Sequence, residues 1–186
     1  MTDRAEAKAI ARKAAFAARK AAGNAADEAR ANTHIAQYLA GERAKVIAGY
    51  MPIRSEISPL AAMAALAPKA HIGVPVIVGA GQPLIFQKWH ADAEMVDGPY
   101  GAQVPARGVD VVPDVVIVPL LAFNARLHRL GYGGGFYDRT LEQLRAAGPT
   151  LAVGFAFAGQ MVDHLPTDPT DQPLDAIVTE RGILLN

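Results

Sequence analysis

VVIVPL at residues 115–120 and RLGYGGGFYDR at residues 129–139 are the two stretches of the chain that decide its fold. The first is a continuous apolar run rich in β-branched residues, which is typical of a strand buried on both faces of a sheet. The second contains a glycine-rich loop, and a helical pattern follows it over residues 136–147. A buried strand, a loop and a helix in this order indicate a parallel sheet covered by helices.

The rest of the chain repeats this alternation. Helices are predicted at residues 3–22, 25–40 and 59–66, and the first two are separated by the stop signal Gly23-Asn24. Further strands are predicted at residues 45–51, 71–78, 84–89, 151–157 and 176–179, the last of them closing the chain. Ligands of such sheets bind beyond the carboxyl ends of the strands, which places Met51 and the segments after Leu120 and Phe157 near one mouth.

We therefore expect a single α/β domain over residues 1–186. Its predicted architecture is three-layered, with a mostly parallel, Rossmann-like sheet and helices on both faces. The N-terminal helices at 3–40 are expected to pack on an α/β core at 45–186.

Composition argues against several classes of protein. The 186 residues include 18 Lys and Arg against 18 Asp and Glu, and a net charge of zero argues against a general nucleic-acid binder. The absence of cysteine excludes disulfides, thiolate catalysis and cysteine zinc sites. The apolar runs are far shorter than the ~20 residues of a membrane-spanning helix. We expect a cytoplasmic, monomeric protein that binds small molecules and neither nucleic acid nor membrane.

The glycine-rich loop is the strongest chemical signal. Four glycines in residues 131–135 leave several N–H groups free to bind phosphate oxygens, and the following helix points its positive end at the same place. Arg129 and Arg139 add positive charge, while Asp138 complements the helix dipole or holds magnesium. The alternative is a flexible turn with a capping Asp. The flanking arginines, the Asp and the preceding strand favour a phosphate loop.

Neither common phosphate motif is present. A Walker loop requires a GK[ST] triplet, which the chain lacks, and the dinucleotide pattern counted from Gly131 requires glycine where Phe136 stands. The residues alone thus indicate a phosphate loop of an unusual kind.

Four motifs in order along the chain resemble one family. KAIAR at 8–12, MPIRSEI at 51–57, RLGYGGGFYDR at 129–139 and PTDPTDQPLDAIVTE at 166–180 are similar to motifs of the 5-formyltetrahydrofolate cyclo-ligases, also called methenyltetrahydrofolate synthetases. The central family signature is approximately RLGxGGGYYDR, from which this chain differs at Phe136. Because the matches run from residue 8 to residue 180, the set is far more specific than any one motif.

The resemblance implies an ATP- and Mg²⁺-dependent cyclisation. The formyl oxygen of 5-formyltetrahydrofolate takes the γ-phosphoryl group, N10 attacks the activated carbon, and 5,10-methenyltetrahydrofolate, ADP and phosphate result. Phosphoryl transfer of this kind depends on positioning and charge neutralisation. Two alternatives remain at this stage: a non-catalytic folate- or nucleotide-binding protein of the same fold, and a sugar-phosphate isomerase-like or ligand-sensing domain, against which the motif spacing argues.

The family's site residues carry over to matching positions. The expected ATP-binding residues are Lys8, Arg12, Arg129, Leu130, Gly131, Tyr132, Gly133, Gly134, Gly135, Phe136 and Tyr137. The expected folate-binding residues are Met51, Glu56, Tyr132, Gly133, Gly134, Gly135 and Phe136. Asp138 and Asp175 are the expected magnesium ligands, and Arg129 and Tyr137 are the expected catalytic residues.

Aromatic residues offer further folate contacts. Trp89 and Tyr100 are candidates for stacking on the pterin and aminobenzoate rings, with a core position as the alternative for Trp89. Phe86 is expected in the strand core. Glu56 suits the N–H edge of the pterin, because an ionised carboxylate only accepts hydrogen bonds.

Arg4, Arg19 and the acids at 163, 168 and 171 are expected to be solvated, whereas Lys8 and Arg12 are expected to contact ATP. Lys8 and Arg12 lie four apart on one helix face, and Arg4 and Arg19 lie roughly along it but match no motif. The acids at 163, 168 and 171 are expected in a solvated loop that is able to close over ATP.

Two segments depart from the family pattern. FNARLHRLG at 123–131 has Asn124 and Leu127 where the family often has Asp and Gly, and GAQVP at 101–105 has Val104 where Glu is common. These changes concern substrate contacts and leave the phosphate and metal residues in place.

Overall fold

The computed structural model describes residues 2–185, with side chains from residue 5 onward. Its α-helices are α1 (Thr2–Ala22), α2 (Ala25–Ala40), α3 (Leu60–Leu66) and α4 (Phe136–Ala147). Its strands are β1 (Val46–Ala48), β2 (His71–Ile77), β3 (Leu84–Trp89), β4 (Met95–Asp97), β5 (Gln103–Pro105), β6 (Asp110–Val111), β7 (Val115–Pro119), β8 (Ala122–Phe123), β9 (Arg129–Leu130), β10 (Leu151–Phe155), β11 (Ala176–Thr179) and β12 (Gly182–Leu185). Short 3₁₀ turns lie at Pro99–Gly101 and Ala158–Gln160.

The main sheet has eight strands in the order β12-β11-β10-β7-β1-β2-β3-β6. The five central strands pair in parallel, from β11 through β10, β7 and β1 to β2. At the edges β12, β3 and β6 join antiparallel. Separate two-stranded hairpins are formed by β4 with β5 and by β8 with β9. The prediction of a mostly parallel sheet is confirmed.

The central strand β7 is buried on both faces, as its apolar sequence predicts. Ile117 belongs to an apolar cluster with Ile35 of α2 and Met63 of α3. Val118, the next residue, belongs to a second cluster on the opposite face, with Leu141 of α4. Successive residues of a strand point to opposite faces, so this alternation confirms the expected three layers and a single α/β domain.

The long helix α1 lies where β7 ends. Ala15 of α1 packs with Leu121, Ala122 and Leu130, which follow β7 and form the β8–β9 hairpin. This position puts one face of α1 beside the carboxyl ends of the central strands. None of the helices within residues 2–185 is both long and apolar enough to cross a membrane.

The structure differs from the sequence prediction mainly at the edges of the main sheet. The prediction that 176–179 is the final strand is wrong, because β12 adds an antiparallel edge strand. Its sequence GILL is short and alternates between half-buried and exposed positions, so it lacks the continuous apolar signal of the inner strands. Phe86 lies in the core, as expected.

Candidate active site

A cavity of about 840 Å³ opens at the carboxyl ends of β1 and β7. Tyr50 and Met51 follow β1 into its wall, and Pro119 ends β7 there. Such a volume is at the upper end of the range for small-molecule sites. The predicted site residues that line it are Lys8, Arg12, Met51, Glu56, Tyr100, Arg129, Leu130, Gly131, Tyr132, Gly133, Gly134, Gly135, Phe136, Tyr137 and Asp138.

The glycine loop and α1 meet in this cavity. Arg12 Nε donates to the Gly131 carbonyl over 3.1 Å, and its guanidinium lies over Gly133. Gly133 has a φ of +99°, and a Cβ atom there would lie 2.9 Å from Arg12 Cζ. The backbone conformation therefore favours glycine, and the absence of a side chain leaves room for the Arg12 guanidinium. The N-terminus of α4 follows at the cavity wall, so helix dipole and cation favour an anion at the same place.

Asp138 is held by two donors through one oxygen. Arg129 Nη2 donates to Asp138 Oδ1 over 2.6 Å, and the Gln172 N–H donates to the same atom over 2.9 Å. Among the described residues, Oδ2 has no donor within hydrogen-bonding distance, and no three His, Cys, Asp or Glu side chains gather as a metal cluster. One open carboxylate oxygen beside a phosphate loop fits Mg²⁺, which uses one or two protein carboxylates and completes its shell with phosphate oxygens and water.

Lys8 is engaged by the loop that follows β10. Its Nζ lies 2.6 Å from Asp168 Oδ2 and 2.9 Å from Asp171 Oδ2. Burial alone would lower the pKa of Lys8, yet hydrogen bonds to these two carboxylates raise it above the usual value. Asp163 is exposed, as expected of a solvated loop. Asp168 and Asp171 are partly exposed, but they pair with Lys8 and so tie the loop to α1.

Glu56 is a buried carboxylate in the cavity wall. Its side chain is 4% exposed, and Oε2 accepts from the Ile53 N–H over 2.9 Å. Burial raises the pKa of Glu56, while the Ile53 bond, a hydrogen bond from Tyr132 and the charge of Arg19 act in the opposite direction. The site thus presents a carboxylate acceptor whose charge depends on its neighbours.

Tyr137 adds a hydroxyl to the same wall. Burial, and next the charge of Glu56, raise the pKa of Tyr137, whereas the charge of Arg129 lowers it. The phenol therefore stays protonated near neutral pH, and it is suited to donate a hydrogen bond rather than to act as a base.

Arg19 corrects the expectation of a solvated helix face. It is 1% exposed and donates to Ser55 Oγ, to the Leu120 carbonyl and to the Tyr132 hydroxyl. Sequence reasoning missed it because a helical arginine outside a motif is usually solvated. The available signal was its position on the face that carries Lys8 and Arg12, together with Phe16, whose ring contacts the Tyr132 ring at 5.3 Å. The side chain of Arg4 lies outside the described residues.

The aromatic candidates separate into one cavity residue and one core residue. The exposed Tyr100 lines the cavity, and its ring meets that of Phe136 edge-on at 6.0 Å. The proposal of Trp89 as a stacking residue is wrong, because it is 7% exposed and belongs to the apolar core. The reason is strand direction: β3 runs antiparallel to β2, so Leu84 reaches the cavity and Trp89 lies at the far end.

The structure does not bring Asp175 to the cavity, which corrects its expected place beside Asp138. Asp175 Oδ2 accepts from the Ala152 N–H over 2.7 Å and pairs with Arg145 at 2.9 Å. It immediately precedes the parallel strand β11 and therefore lies at the amino edge of the sheet. Arg145 itself is seven residues beyond Asp138 along α4, a distance of ~10 Å.

Asp175→Asn is accordingly expected to retain activity. The amide keeps an acceptor for Ala152 but loses the charge opposite Arg145, which costs about 1 kcal/mol of folding free energy or less. Thermal unfolding and the Mg²⁺ dependence of turnover check this prediction. A large rise in the Mg²⁺ concentration needed for activity would show that Asp175 belongs to the metal site after all.

The departures from the family pattern lie in a turn and in the cavity wall. Leu127 has a φ of +59°, the left-handed region that favours glycine, and its buried side chain packs in the core beneath α4. Asn124 Oδ1 accepts from the N–H groups of Arg126 and His128, which closes the turn. Val104 lines the cavity with an apolar side chain.

Comparisons with known proteins point to one family. The family model described as the 5-formyltetrahydrofolate cyclo-ligase family matches residues 4–180. A Haemophilus influenzae protein named 5-formyltetrahydrofolate cyclo-ligase is 34% identical over 148 residues, which cover 76% of this chain and 79% of that protein. The protein of that name from Escherichia coli K12 is 41% identical over 105 residues, and the match spans little more than half of its length, 57%.

Solved structures of similar fold indicate the same family. The 5,10-methenyltetrahydrofolate synthetase of Aquifex aeolicus superposes with a TM-score of 0.77 at 26% identity, over 96% of this chain and 92% of that one. The 5,10-methenyltetrahydrofolate synthetase of Mycoplasma pneumoniae superposes with a TM-score of 0.73 at 26% identity, over 93% of this chain and 98% of that one. With the family model matching nearly the whole length, the chain belongs to the 5-formyltetrahydrofolate cyclo-ligase family.

Proposed function

We propose that this protein converts 5-formyltetrahydrofolate and ATP to 5,10-methenyltetrahydrofolate, ADP and phosphate. The observation that carries the proposal is the meeting, in one cavity, of a glycine loop with three cations and a buried carboxylate. The cations Lys8, Arg12 and Arg129 suit a triphosphate, and Glu56 suits the N–H edge of a pterin. Family membership supports the same reaction.

The phosphate half of the site consists of α1 and residues 129–138. Arg12 and the loop N–H groups would bind phosphate oxygens at the N-terminus of α4, and Lys8 would exchange its carboxylate partners for phosphate. Asp138 would hold Mg²⁺ through Oδ2, and bound Mg²⁺ neutralises charge on the phosphate oxygens. Arg129 keeps that carboxylate in place and adds its own charge beside the transferred group.

The folate half consists of the loop after β1, the β4–β5 hairpin and the glycine loop. Glu56 would accept from the pterin, Met51 would line its pocket, and Tyr100 and Phe136 would contact the aromatic rings. Tyr137 would donate to the substrate where the formyl oxygen and γ-phosphate meet. These positions align the formyl oxygen with the phosphorus atom, which is the main contribution of a protein to phosphoryl transfer.

The reaction proceeds in two steps. The formyl oxygen attacks the γ-phosphorus and ADP leaves, which gives an N5-iminium phosphate. N10 then attacks the formyl carbon, loses its proton, and expels phosphate together with the former formyl oxygen. We also propose that the enzyme acts as a monomer in the cytoplasm on two small-molecule substrates, without a nucleic-acid or membrane partner.

Absorbance of the methenyl product tests the proposal. Purified protein with 5-formyltetrahydrofolate and MgATP is expected to form product and ADP in equal amounts, and chelation of Mg²⁺ is expected to stop both. Saturable binding of folate or ATP without product would instead indicate a binding protein. The absence of both product and binding would contradict the proposed function.

A further inference from the structure

Arg19 joins three separate segments of the cavity wall to α1. Its guanidinium donates through Nε to Ser55 Oγ at 3.1 Å, through Nη1 to the Leu120 carbonyl at 3.3 Å, and through Nη2 to the Tyr132 hydroxyl at 2.6 Å. These partners lie in the loop after β1, at the end of β7 and in the glycine loop. The side chain is 1% exposed, so water does not replace these bonds.

The hydrogen bond from Arg19 to Tyr132 determines where the hydroxyl proton of Tyr132 points. A guanidinium only donates hydrogen bonds, so the Tyr132 oxygen accepts from Arg19 and its own proton must point elsewhere. Glu56 is the neighbouring carboxylate: burial, and next the charge of Glu56, raise the pKa of Tyr132, so the hydroxyl keeps its proton beside it. Arg19 Nη1 itself lies 3.9 Å from Glu56 Oε1, and both side chains are buried. Arg19 thus acts on Glu56 by charge and holds the Tyr132 hydroxyl by a hydrogen bond.

We infer that Arg19 is a positioning residue, which holds Glu56 and the glycine loop in the arrangement that binds folate. The inference rests on the proposed function and adds to it a connection between α1, which carries Lys8 and Arg12, and the folate half of the cavity. Removal of the guanidinium leaves the buried carboxylate with Arg54 as its remaining neighbouring cation and frees the Tyr132 hydroxyl.

The pKa of Glu56 provides a readout for this role of Arg19, because a merely structural role of Arg19 would leave that pKa unchanged. Burial raises the pKa of Glu56, and the positive charge of Arg19 opposes that shift. Loss of the Arg19 charge raises the pKa of Glu56 further. As the pH is lowered, the Glu56 carboxylate is therefore protonated at a higher pH than in the wild type. The titratable and charged groups that face Glu56 from the surrounding segments are Arg19, Tyr50, Arg54, Tyr132 and Tyr137.

Two substitutions of Arg19 separate charge from geometry. Arg19→Met is expected to raise the KM for 5-formyltetrahydrofolate about tenfold, the value of one charged hydrogen bond, with a smaller effect on the KM for ATP. It is also expected to shift the acid limb of kcat/KM for folate to higher pH. Arg19→Lys keeps the charge, so it is expected to restore the acid limb and only part of the KM. Lys20→Met, an exposed cation of the same helix, is the matched control with wild-type values.

Steady-state kinetics across pH decide the inference. A folded Arg19→Met protein with an unchanged folate KM and acid limb would overturn it, as would an equal loss for both substrates with the acid limb in place. Should Arg19→Met fail to fold, Tyr132→Phe is expected to shift the acid limb in the same direction, and an unmoved limb there would overturn the inference. An inactive wild-type protein would overturn the proposed function as well, whereas an active wild type with unaffected variants would overturn this inference alone.

Discussion

Replacement of Asp138 by asparagine is expected to lower kcat by about 100-fold or more, the effect typical of removing one electrostatic group from a phosphoryl-transfer site. Asparagine keeps Oδ1 as an acceptor for Arg129 and for the Gln172 N–H, so the turn at the start of α4 is preserved. What disappears is the negative charge and the open carboxylate oxygen that suits Mg²⁺. Arg129, whose side chain is 5% exposed, also loses its neutralising partner.

The measurement is kcat at saturating substrates, together with the Mg²⁺ concentration that gives half-maximal rate. Thermal unfolding and far-UV circular dichroism show whether the variant is folded. Asp175→Asn serves as the matched control, because it makes the same substitution at the amino edge of the main sheet, away from the cavity. Full activity and ordinary Mg²⁺ dependence in Asp138→Asn would remove Asp138 from the metal site.

Replacement of Glu56 by glutamine is expected to raise the KM for 5-formyltetrahydrofolate by about 10- to 100-fold, because one charged hydrogen bond is worth about 1.5–3 kcal/mol. Glutamine retains an acceptor for the Ile53 N–H, so the loop after β1 keeps its closing bond. Its amide nitrogen, however, presents a donor to the donor edge of the pterin. The KM for ATP is expected to change much less.

The pH dependence gives a second test of Glu56. Since burial raises its pKa above the usual 4.5, folate affinity of the wild type is expected to fall as pH decreases, beginning above the range of an ordinary glutamate. Glu56→Gln removes the titrating group and is expected to remove this limb. Glu42→Gln, an exposed glutamate beyond α2, is the matched control. An acid limb that persists in Glu56→Gln would show that another group controls folate binding.

The parts of the fold that local patterns determine were predictable from the sequence. Helix α4 runs over Phe136–Ala147 as predicted, because the glycine loop before it and Gly148 after it mark both ends. The inner strand β7 follows from its continuous Val and Ile residues. The edge strand β12 was missed because a half-exposed strand of four residues has almost no pattern of its own.

The site was predictable where a motif fixed each position and unpredictable where burial depends on distant partners. Arg19 is buried because Ser55, Leu120 and Tyr132 meet it there, and these partners are distant in the sequence. The local sequence offered only its helix face and the nearby Phe16 as a signal. The errors at Trp89 and Asp175 have another cause, strand direction. Trp89 ends β3 and Asp175 immediately precedes β11, and both positions lie at the edge of the sheet away from the cavity. The predicted hairpin already implies this for Trp89, and the predicted parallel order implies it for Asp175.

In the proposed reaction, the cavity joins the formyl oxygen of the folate to the γ-phosphorus of ATP. Substrate labelled with ¹⁸O in the formyl group tests it directly, with mass spectrometry of the phosphate released during one turnover. The released phosphate is expected to carry the formyl ¹⁸O, because that oxygen leaves bound to phosphorus. Unlabelled phosphate, with the ¹⁸O recovered in water, would contradict it.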